Sequence, residues 1–530
     1  MLESHFQVRS FQMKKLITRD EWSKLILLLA ILLGVYIRFS PTMLAEFAIN
    51  DGGMFAVMID DLRENQYLVP AFTTYNHLNI PYAYPPVGFY IGALISGLFS
   101  IDSVEIVRWM PALFASLCIP AFYFLSLRLL KDKYKSSIAT MVFAFMPRAF
   151  FWFVMGGGLT RSAGQFFMLI ALIAVIRLYE ESRRADIFWA GLFGGMAVMS
   201  HPEASVHTAL SGILIWFVIS RRRIDIVNSV YVGLIVLSVS APWWGTLIYQ
   251  HGLDPLLSAM QTGGNSLAVF HLIFFAFTEE PFMTIIAVLA LVGTLNRIIH
   301  RDFLLPLWMA VPFFAAGRSA TNLAVLPLAM LAAVGLTEVI LPAFQASVKG
   351  DAEKTVTSAE RNILIYVMVY LVFSAYQFGL QLSYVSLSSV ERRTMEWVNG
   401  NTPPDSRFLI LSGATSAACD LTQEWFPALA GRQSIYTIQG REWTLADDFG
   451  SFITDSVGVQ RCLYEAPSCL DEKVNANSFD YVYVSRYLRV NNCKQLDLPQ
   501  DFGRFIEELD EDNRYESVFE NHSAVVFKVK

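Results

Sequence analysis

Long hydrophobic runs separated by short polar segments occupy the chain from Trp22 to about Tyr384. A helix needs about 20 apolar residues to cross the hydrocarbon core of a bilayer. Eleven runs, some of them short, approach this length and are predicted to span the membrane: 22–40, 105–130, 136–154, 162–179, 186–200, 204–220, 226–247, 282–299, 302–317, 320–342 and 362–385. The pattern therefore predicts an α-helical, multi-pass protein of the cell membrane, embedded in the lipid bilayer.

Two shorter apolar runs, 86–99 and 267–278, are predicted to be interfacial or re-entrant helices because they are too short to cross the core. With both at the surface, one side of the membrane collects the basic segments 14–24, 128–135, 183–184, 221–223, 297–301 and 349–361. Within the membrane part, the opposite side keeps only Arg63, Arg161 and Arg318. Since basic residues accumulate in cytoplasmic loops, the N-terminus is predicted to be cytoplasmic and the C-terminal region extracytoplasmic.

The chain changes character near residue 386. Residues 391–530 contain 22 Asp and Glu against 14 Lys and Arg, and the long hydrophobic runs end. Short β-branched and aromatic segments at 408–411, 481–484 and 524–530 alternate with helical stretches, which predicts a small α/β domain. The predicted division is a cytoplasmic tail (1–21), a transmembrane domain (22–385) with a large external loop (41–86), and an extracytoplasmic soluble domain (386–530).

Composition supports this assignment and excludes several classes of function. Of the 530 residues, 54% are hydrophobic and only 16% are charged, whereas soluble domains usually carry about 25% charged residues. The formal net charge of −6 leaves no broad cationic surface for the phosphates of a nucleic acid. None of the five cysteines falls in a CxxC pair, so structural zinc and dithiol redox sites are not expected.

Four of the cysteines lie in the predicted external domain: Cys419, Cys462, Cys469 and Cys493. Two disulfides and four free thiols are both compatible with this number. The fifth cysteine, Cys118, lies within a predicted span.

Polar residues at the outer ends of the spans are the candidates for chemistry on that side of the membrane. Asp51 follows the first span by a few residues and precedes a stretch with helical periodicity, so its carboxylate can point back to a cavity near the interface. It is also well placed to be the N-cap of that helix. In the same loop, Asp60 and Asp61 indicate a second acidic site, a pair of metal ligands, or a solvated helix face.

Two arginines at span ends are candidates for binding an anion. Arg161 follows three glycines and begins a span, so loop N–H groups and the positive end of a helix can face a phosphate there. An arginine at a span end also commonly extends to the membrane interface without binding a ligand. Arg318 precedes the predicted span 320–342.

Three further polar residues, His201, Glu203 and His207, lie at the external junction of two spans. Their offsets of two and six do not place three side chains on one helix face, so lining of a substrate cavity is favoured over a metal site. Glu279 lies on the same side, where it either contacts an acceptor or a cation or simply starts a solvated helix. No cofactor is predicted, and only the acidic pair of the first loop leaves a divalent metal open.

The order of these features resembles that of a known class of membrane enzymes. The features are an acidic residue after the first span, a loop of about thirty residues, the segment Tyr84-Pro85-Pro86, an aromatic short helix, and a span that opens with Arg108 and Pro111. Together they resemble the polyprenyl-phosphate-sugar-dependent glycosyltransferases of the GT-C class. Within that class the chain is similar to the family of protein O-mannosyltransferases and of the lipid A aminoarabinose transferase, over roughly residues 20–340.

This resemblance implies transfer of a sugar from a polyprenyl-phosphate-linked donor to a hydroxyl or amine acceptor at the outer face of the membrane, without a metal. It implies that Asp51 is the general base and that Arg318 lies near the donor phosphate. Arg161, from its position at a helix start, and Tyr84, in place of the family's lysine, are the further candidates on the phosphate side. A carboxylate suits the role of base because the pKa of an acceptor hydroxyl is far above neutrality. A single in-line displacement would invert the anomeric carbon.

The chain departs from the family pattern at two positions. Family members often have Asp-Glu where this chain has Asp51-Gly52, and Lys-Pro-Pro where it has Tyr84-Pro85-Pro86. A catalytically silent relative is therefore an alternative, and so is a polytopic transporter or lipid flippase. Against a transporter, no inverted repeat is visible, and the polar residues gather at one face of the membrane whereas alternating access places its site near the midplane.

Overall fold

The computed structural model of the protein describes residues 18–220, 222–261, 270, 272, 284–315, 317, 319–345, 356–490, 494–497 and 500–530. Two sequence predictions concern segments outside these ranges. The N-terminal tail is described only from residue 18, and the short apolar run 267–278 falls almost entirely outside.

The first part of the chain is a bundle of apolar helices joined by short connections. Each of the eleven predicted spans falls on one of these helices, and the short run 86–99 forms a helix of its own. The elements are α1 (Arg19–Leu44), α2 (Gly53–Glu64), β1 (Phe72–Thr73), β2 (Ile80–Pro81), α3 (Val87–Phe99), α4 (Ser103–Leu130), α5 (Lys133–Phe145), α6 (Gly158–Glu181), α7 (Ala185–Val198), α8 (Pro202–Ile219), α9 (Arg223–His251), α10 (Asp254–Gln261), α11 (Ile285–Ile299), α12 (Leu304–Ala315), α13 (Ala320–Val334) and α14 (Ser358–Ser383).

Length and apolar composition show that several of the described helices can cross a membrane. Seven of them qualify singly: α1, α4, α6, α8, α9, α13 with its continuation to Phe344, and α14. Two bent pairs among the described helices bring the number to as many as nine if each pair forms one span: α5 with the turn Pro147–Phe153, bent by 83°, and α11 with α12, bent by 116°. The prediction of eleven spans was higher because it counted the short helix α7 and both arms of the second pair separately. A multi-pass, α-helical membrane protein is confirmed.

Charged residues at the basic end of the bundle are paired between helices. Glu338 lies in a π-helical turn (Gly335–Ile340) that continues α13. Its Oε1 accepts hydrogen bonds from Lys135 Nζ at 2.6 Å and from Arg297 Nη2 at 2.8 Å. Because charges in a membrane protein need partners, these pairs fasten the ends of α5 and α11 to the end of α13.

The region after α14 folds around a five-stranded mixed sheet of order β4-β3-β5-β9-β8. Strand β3 is parallel to β4 and β5, and β9 is antiparallel to β5 and β8. The elements are α15 (Ser389–Asn401), β3 (Arg407–Leu411), α16 (Leu421–Ala430), β4 (Gln433–Ser434), α17 (Phe449–Gln460), α18 (Ser468–Lys473), β5 (Tyr481–Ser485), β6 (Tyr487–Val490), β7 (Lys494–Asp497), α19 (Gln500–Glu511), β8 (Tyr515–Glu520) and β9 (Ala524–Val529). The three strands predicted from the sequence coincide with β3, β5 and β9, so the predicted α/β region is confirmed.

Disulfides stabilise this C-terminal region. Cys462 and Cys469 are bonded to each other, and Cys419 is also disulfide-bonded. Cys493 lies outside the described residues, and Cys118 is a buried free thiol. Of the two interpretations that the cysteine count left open, the structure shows disulfides.

The C-terminal region packs on the loop segment between α1 and α3. Helix α16 lies against α2, and the Tyr75 hydroxyl donates a hydrogen bond to the Glu424 carbonyl at 2.6 Å. Asn76 pairs with the Ser434 backbone: its Nδ2 donates to the carbonyl at 2.9 Å and its Oδ1 accepts from the N–H at 2.6 Å. These buried contacts fix the C-terminal region over the segment that carries Asp51.

Candidate active site

Asp51 lies just beyond the end of α1. Its Oδ1 accepts a hydrogen bond from the backbone N–H of Gly157 at 2.8 Å, and its Oδ2 lies 3.3 Å from Nη2 of Arg161. The Asp51 side chain is 17% exposed, so the carboxylate is only partly shielded from solvent. The N-cap of α2 is Gly52. The structure therefore gives Asp51 an ion-pair role and not the capping role that the sequence left open.

Glycines let the two backbone segments of the site approach each other. A Cβ added to Gly156 would lie 1.8 Å from the carbonyl oxygen of Asp51, and one added to Gly157 would lie 2.2 Å from Asp51 Oδ2. Gly52 has a φ of 126°, which side chains other than glycine rarely adopt. The glycines on both sides of the site are thus required by the close approach of the first loop and the start of α6.

Arg161 lies in the first turn of α6, in contact with an aromatic ring. Its guanidinium carbon lies 5.6 Å from the ring centroid of Trp152, and its Nη1 donates to the Trp152 carbonyl at 3.4 Å. In addition to its ion pair with Asp51, Arg161 lines a small cavity between α6, α8 and α13. The other lining residues include Phe153, Gln165, His201, Glu203, His207 and Asn322. The structure therefore brings Arg161 together with all three polar residues predicted at the start of α8.

The two histidines have separate partners. His201 is the N-cap of α8, since its Nδ1 accepts from the backbone N–H of Glu203 at 3.2 Å. His207 Nε2 is hydrogen-bonded to Ser319 Oγ at 2.8 Å. Within the described ranges, no group of three His, Cys, Asp or Glu side chains is arranged to hold a metal ion.

Tyr84 lies in an aromatic cluster where the membrane part meets the C-terminal region. Its ring centroid is 4.9 Å from that of Phe55, 6.1 Å from that of His201 and 5.7 Å from that of Trp443. Burial raises the pKa of the Tyr84 phenol, and Arg161 is close enough to oppose that shift. Tyr84 is therefore a neutral hydroxyl close to the arginine.

The acidic pair in α2 is placed differently. Asp61 is buried and accepts three hydrogen bonds, from Thr73 Oγ1 at 2.6 Å, Thr74 Oγ1 at 2.6 Å and the Thr74 N–H at 3.0 Å. Asp60 accepts from Ser103 Oγ at 2.7 Å and lines a cavity of its own. Burial raises the pKa of both carboxyl groups. Asp61 thus ties α2 to the end of β1, while Asp60 lies away from the cavity of Arg161.

A further acidic residue reaches the site from the C-terminal region. Glu424, in α16, is buried, and its Oε1 accepts hydrogen bonds from the N–H groups of Gly52 at 3.1 Å and Gly53 at 3.0 Å. Its Oε2 is buried without a hydrogen-bonding partner among the described residues. Burial, together with the adjacent charge of Asp51, raises the pKa of Glu424 to about 8.

Sequence reasoning missed the role of Glu424. The segment Glu424-Trp425-Phe426-Pro427 is visible as a run of acidic and aromatic residues, but its contact lies 372 residues away in the chain, at Gly52. Two other predicted site residues, Arg318 and Glu279, lie outside the described residues.

The described helices make the chain a multi-pass membrane protein, and the loop after α1 places its acidic residue against an arginine at the start of α6. Residues 83–245 match the model of a family described as dolichyl-phosphate-mannose-protein mannosyltransferase. The match includes Tyr84, Arg161 and the three polar residues of α8, and it begins after Asp51. No curated protein matches the chain significantly.

Solved structures of the same fold cover most of the chain. The archaeal oligosaccharyltransferase AglB from Archaeoglobus fulgidus, in complex with an inhibitory peptide and a dolichol-phosphate, matches with a TM-score of 0.59 and 14% identity over 88% of this chain and 70% of its own. ArnT from Cupriavidus metallidurans, bound to undecaprenyl phosphate, matches with a TM-score of 0.56 and 13% identity over 96% of this chain and 97% of its own. The arabinofuranosyltransferase AftD from Mycobacteria matches with a TM-score of 0.54 and 14% identity over 97% of this chain and 40% of its own. The resemblance to the GT-C class predicted from the sequence is confirmed by these matches.

Proposed function

We propose that the protein is a membrane glycosyltransferase that transfers a sugar from a polyprenyl-phosphate-linked donor to a hydroxyl or amine acceptor. The observation that carries this proposal is the ion pair of Asp51 and Arg161, a partly exposed carboxylate held beside a guanidinium at the outer ends of α1 and α6. The Asp51 carboxylate can act as a base for the acceptor, and the adjacent Arg161 guanidinium can bind the donor phosphate. The complexes of AglB with dolichol-phosphate and of ArnT with undecaprenyl phosphate support the choice of donor.

In the proposed reaction, Asp51 takes the proton of the acceptor hydroxyl or amine as that atom bonds to the anomeric carbon of the sugar. The bond from the anomeric carbon to the phosphate oxygen breaks in the same step, so the configuration at this carbon inverts. The electron pair leaves with the polyprenyl phosphate, which is already an anion and needs no general acid. Arg161 stabilises the charge on the phosphate, since guanidinium and phosphate form strong, geometrically specific hydrogen bonds.

The other predicted residues take secondary roles in this proposal. Arg318 is proposed to act beside Arg161 on the phosphate, and Tyr84 to donate a hydrogen bond on the same side. His201, Glu203 and His207 are proposed to line the cavity for the sugar. The site and the C-terminal region are proposed to lie on the extracytoplasmic side, because the opposite end of the bundle carries the basic loops.

Turnover measurements test the proposal directly. Purified protein in detergent is supplied with a panel of labelled polyprenyl-phosphate sugars and simple hydroxyl and amine acceptors, and release of polyprenyl phosphate is followed with and without EDTA. We expect donor-specific release that EDTA does not change, and a loss of about 10²–10⁴-fold in Asp51→Asn, since a positioned base contributes this factor. Asp447→Asn, an exposed position in the C-terminal region, is the matched control.

Two outcomes would contradict the proposal. If no donor is consumed with any acceptor, a transporter, a flippase or a catalytically silent relative becomes the better explanation. If Asp51→Asn retains the turnover of the unchanged protein, the class of enzyme stands and the assignment of the base fails.

A further inference from the structure

The segment that carries Asp51 is held on both sides by two consecutive residues of α16. Trp425 Nε1 donates a hydrogen bond to the carbonyl of Asn50 at 2.8 Å, on the N-terminal side of Asp51. Glu424 Oε1 accepts from the N–H groups of Gly52 and Gly53 on the C-terminal side. The residues that flank the proposed base are therefore fastened to a helix that belongs to the C-terminal region.

This contact matters because the loop has little rigidity of its own. Gly52 and Gly53 lack side chains, and glycine has the widest range of backbone conformations. The Gly52 φ of 126° is one of several values that this residue can adopt at small cost. Without external hydrogen bonds, rotation about these residues would change the direction in which the Asp51 carboxylate points.

From this geometry we infer that Glu424 is a positioning residue of the active site. It holds the Gly52 and Gly53 backbone and so keeps the Asp51 carboxylate aimed at the acceptor, which makes the C-terminal region a necessary part of the active site. The inference rests on the proposed function of Asp51 as the base. It assigns to the C-terminal region a catalytic contribution that does not require it to touch the substrate.

The environment of Glu424 favours a carboxyl group that keeps its proton. Asp51 on the first loop and Tyr75, whose hydroxyl donates to the Glu424 carbonyl, face it from the membrane part. Asp420 and Tyr436 of the C-terminal region line a small cavity together with it. Burial and the charge of Asp51 raise the pKa of Glu424 to about 8. With a proton on Oε2, Oε1 still accepts from both glycines, and Asp51 carries the only negative charge of the two.

Two variants and a control test the inference through kcat and the donor KM, measured at pH 7 in the full-length protein. Glu424→Ala removes the acceptor, and we expect kcat to fall about 100-fold, because a misplacement of about 1 Å costs about this factor. The donor KM should change less than about threefold, since the phosphate side is untouched. Glu424→Gln mimics the protonated carboxyl group and should restore kcat to within about threefold of the unchanged protein. Glu472→Ala, an exposed residue of the same region, should leave both constants unchanged.

A variant on the other side of the segment covers the possibility that Glu424→Ala does not fold. Trp425→Phe keeps an aromatic ring in the core and removes only the hydrogen bond to Asn50, so we expect kcat to fall about 10-fold with the donor KM retained, as is usual for one lost hydrogen bond. Backbone hydrogen exchange gives a readout that does not depend on turnover. The backbone amides of residues 50–58 should exchange faster in Glu424→Ala and Trp425→Phe than in the unchanged protein. In Glu424→Gln their exchange rates should not change.

The possible results separate this inference from the proposed function. Unchanged kcat in folded Glu424→Ala, or in Trp425→Phe if the alanine variant does not fold, overturns the positioning role while the enzyme assignment stands. A loss in Glu424→Gln as large as in Glu424→Ala also overturns it, because the charge would then matter and not the acceptor oxygen. Failure of the unchanged protein to release polyprenyl phosphate from any donor contradicts the proposed function, and the positioning role with it.

Discussion

The carboxylate of Asp51, in the loop after α1, and the guanidinium of Arg161, in the first turn of α6, form an ion pair with 3.3 Å between Oδ2 and Nη2. In the proposed reaction, Arg161 also binds the donor phosphate, so its guanidinium pairs first with the Asp51 carboxylate and then with the phosphate. Arrival of the donor would draw Arg161 towards the phosphate and leave Asp51 free to accept a proton. This exchange of partners makes the pair a central target for mutation.

Replacing Arg161 should affect the donor more than the acceptor. Arg161→Gln removes the charge and the planar fork, and we expect kcat/KM for the donor to fall about 30- to 150-fold, which corresponds to about 2–3 kcal/mol for hydrogen bonds to a charged group. Arg161→Lys keeps the charge without the fork and should recover only part of this loss. Steady-state release of polyprenyl phosphate measures the effect. Arg183→Gln, an exposed arginine at the basic end, is the control, and an equal loss there would contradict a specific role.

The glycine at the start of α6 should not tolerate a side chain. A Cβ on Gly157 would lie 2.2 Å from Asp51 Oδ2, so Gly157→Ala must displace the carboxylate. We expect about 100-fold lower kcat with little change in thermal unfolding, since a displacement of about 1 Å has this effect on rate. Gly212→Ala in α8, where a Cβ meets nothing within 4 Å, should be silent in both measurements. A fully active Gly157→Ala variant would show that the position of the carboxylate is not critical.

Asp61 is expected to act on stability, because its side chain accepts three hydrogen bonds from Thr73, the last residue of β1, and from Thr74, which follows it. Asp61→Ala leaves the buried hydroxyl of Thr73 and the hydroxyl and N–H of Thr74 without their acceptor, and we expect the free energy of unfolding to fall by about 1–3 kcal/mol. Thermal unfolding in detergent measures the change, with Glu64→Ala on the exposed face of the same helix as control. If Asp61 binds substrate, the variant will lose turnover at full stability.

Stability should depend on pH through Glu424. Its pKa rises from an ordinary value of 4.5 to about 8 on folding. The stabilisation is therefore complete below about pH 4.5, where both states hold the proton, and it is lost progressively as the pH rises towards 8. Glu424→Gln cannot ionise, so its melting temperature should exceed that of the unchanged protein at pH 8 and match it near pH 4.5. If the melting temperatures of the two proteins change with pH in parallel, the raised pKa of Glu424 is contradicted.

The orientation in the membrane is testable with single cysteines at exposed positions. We expect Lys530→Cys, at the C-terminus, to react with a membrane-impermeant maleimide in intact cells. Arg184→Cys, in the turn between α6 and α7, should react only after the membrane is permeabilised. The reverse pattern would place the site of Asp51 on the cytoplasmic side and overturn the proposed orientation.

Several parts of the fold follow from local sequence. Apolar length alone locates the helices, because a bilayer requires about 20 consecutive apolar residues from each span. Alternating β-branched segments locate β3, β5 and β9 for an equally local reason. The count of spans was less certain, since the 116° bend between α11 and α12 arises from packing and has no signature in the hydrophobic pattern.

Part of the candidate site likewise follows from the sequence, and the rest follows only from the tertiary structure. The sequence by itself determined that Asp51 and Arg161 lie at one face of the membrane, because chain direction reverses with every span and fixes which ends share a face. It also determined which residue types were available there. It did not determine that Asp51 contacts Gly157 and Arg161, or that Glu424 and Trp425 hold the residues on either side of Asp51.

Only the tertiary structure decided those contacts. They join segments 106 and 372 residues apart, and no local preference for helix or strand encodes such a distance. The capping role that the sequence allowed for Asp51 went instead to Glu424, a residue of another region, because the packing of α16 on α2 brings a buried carboxyl group to the free N–H groups of the helix start. A helix end specifies that a partner is needed, and the packing of the whole chain decides which residue supplies it.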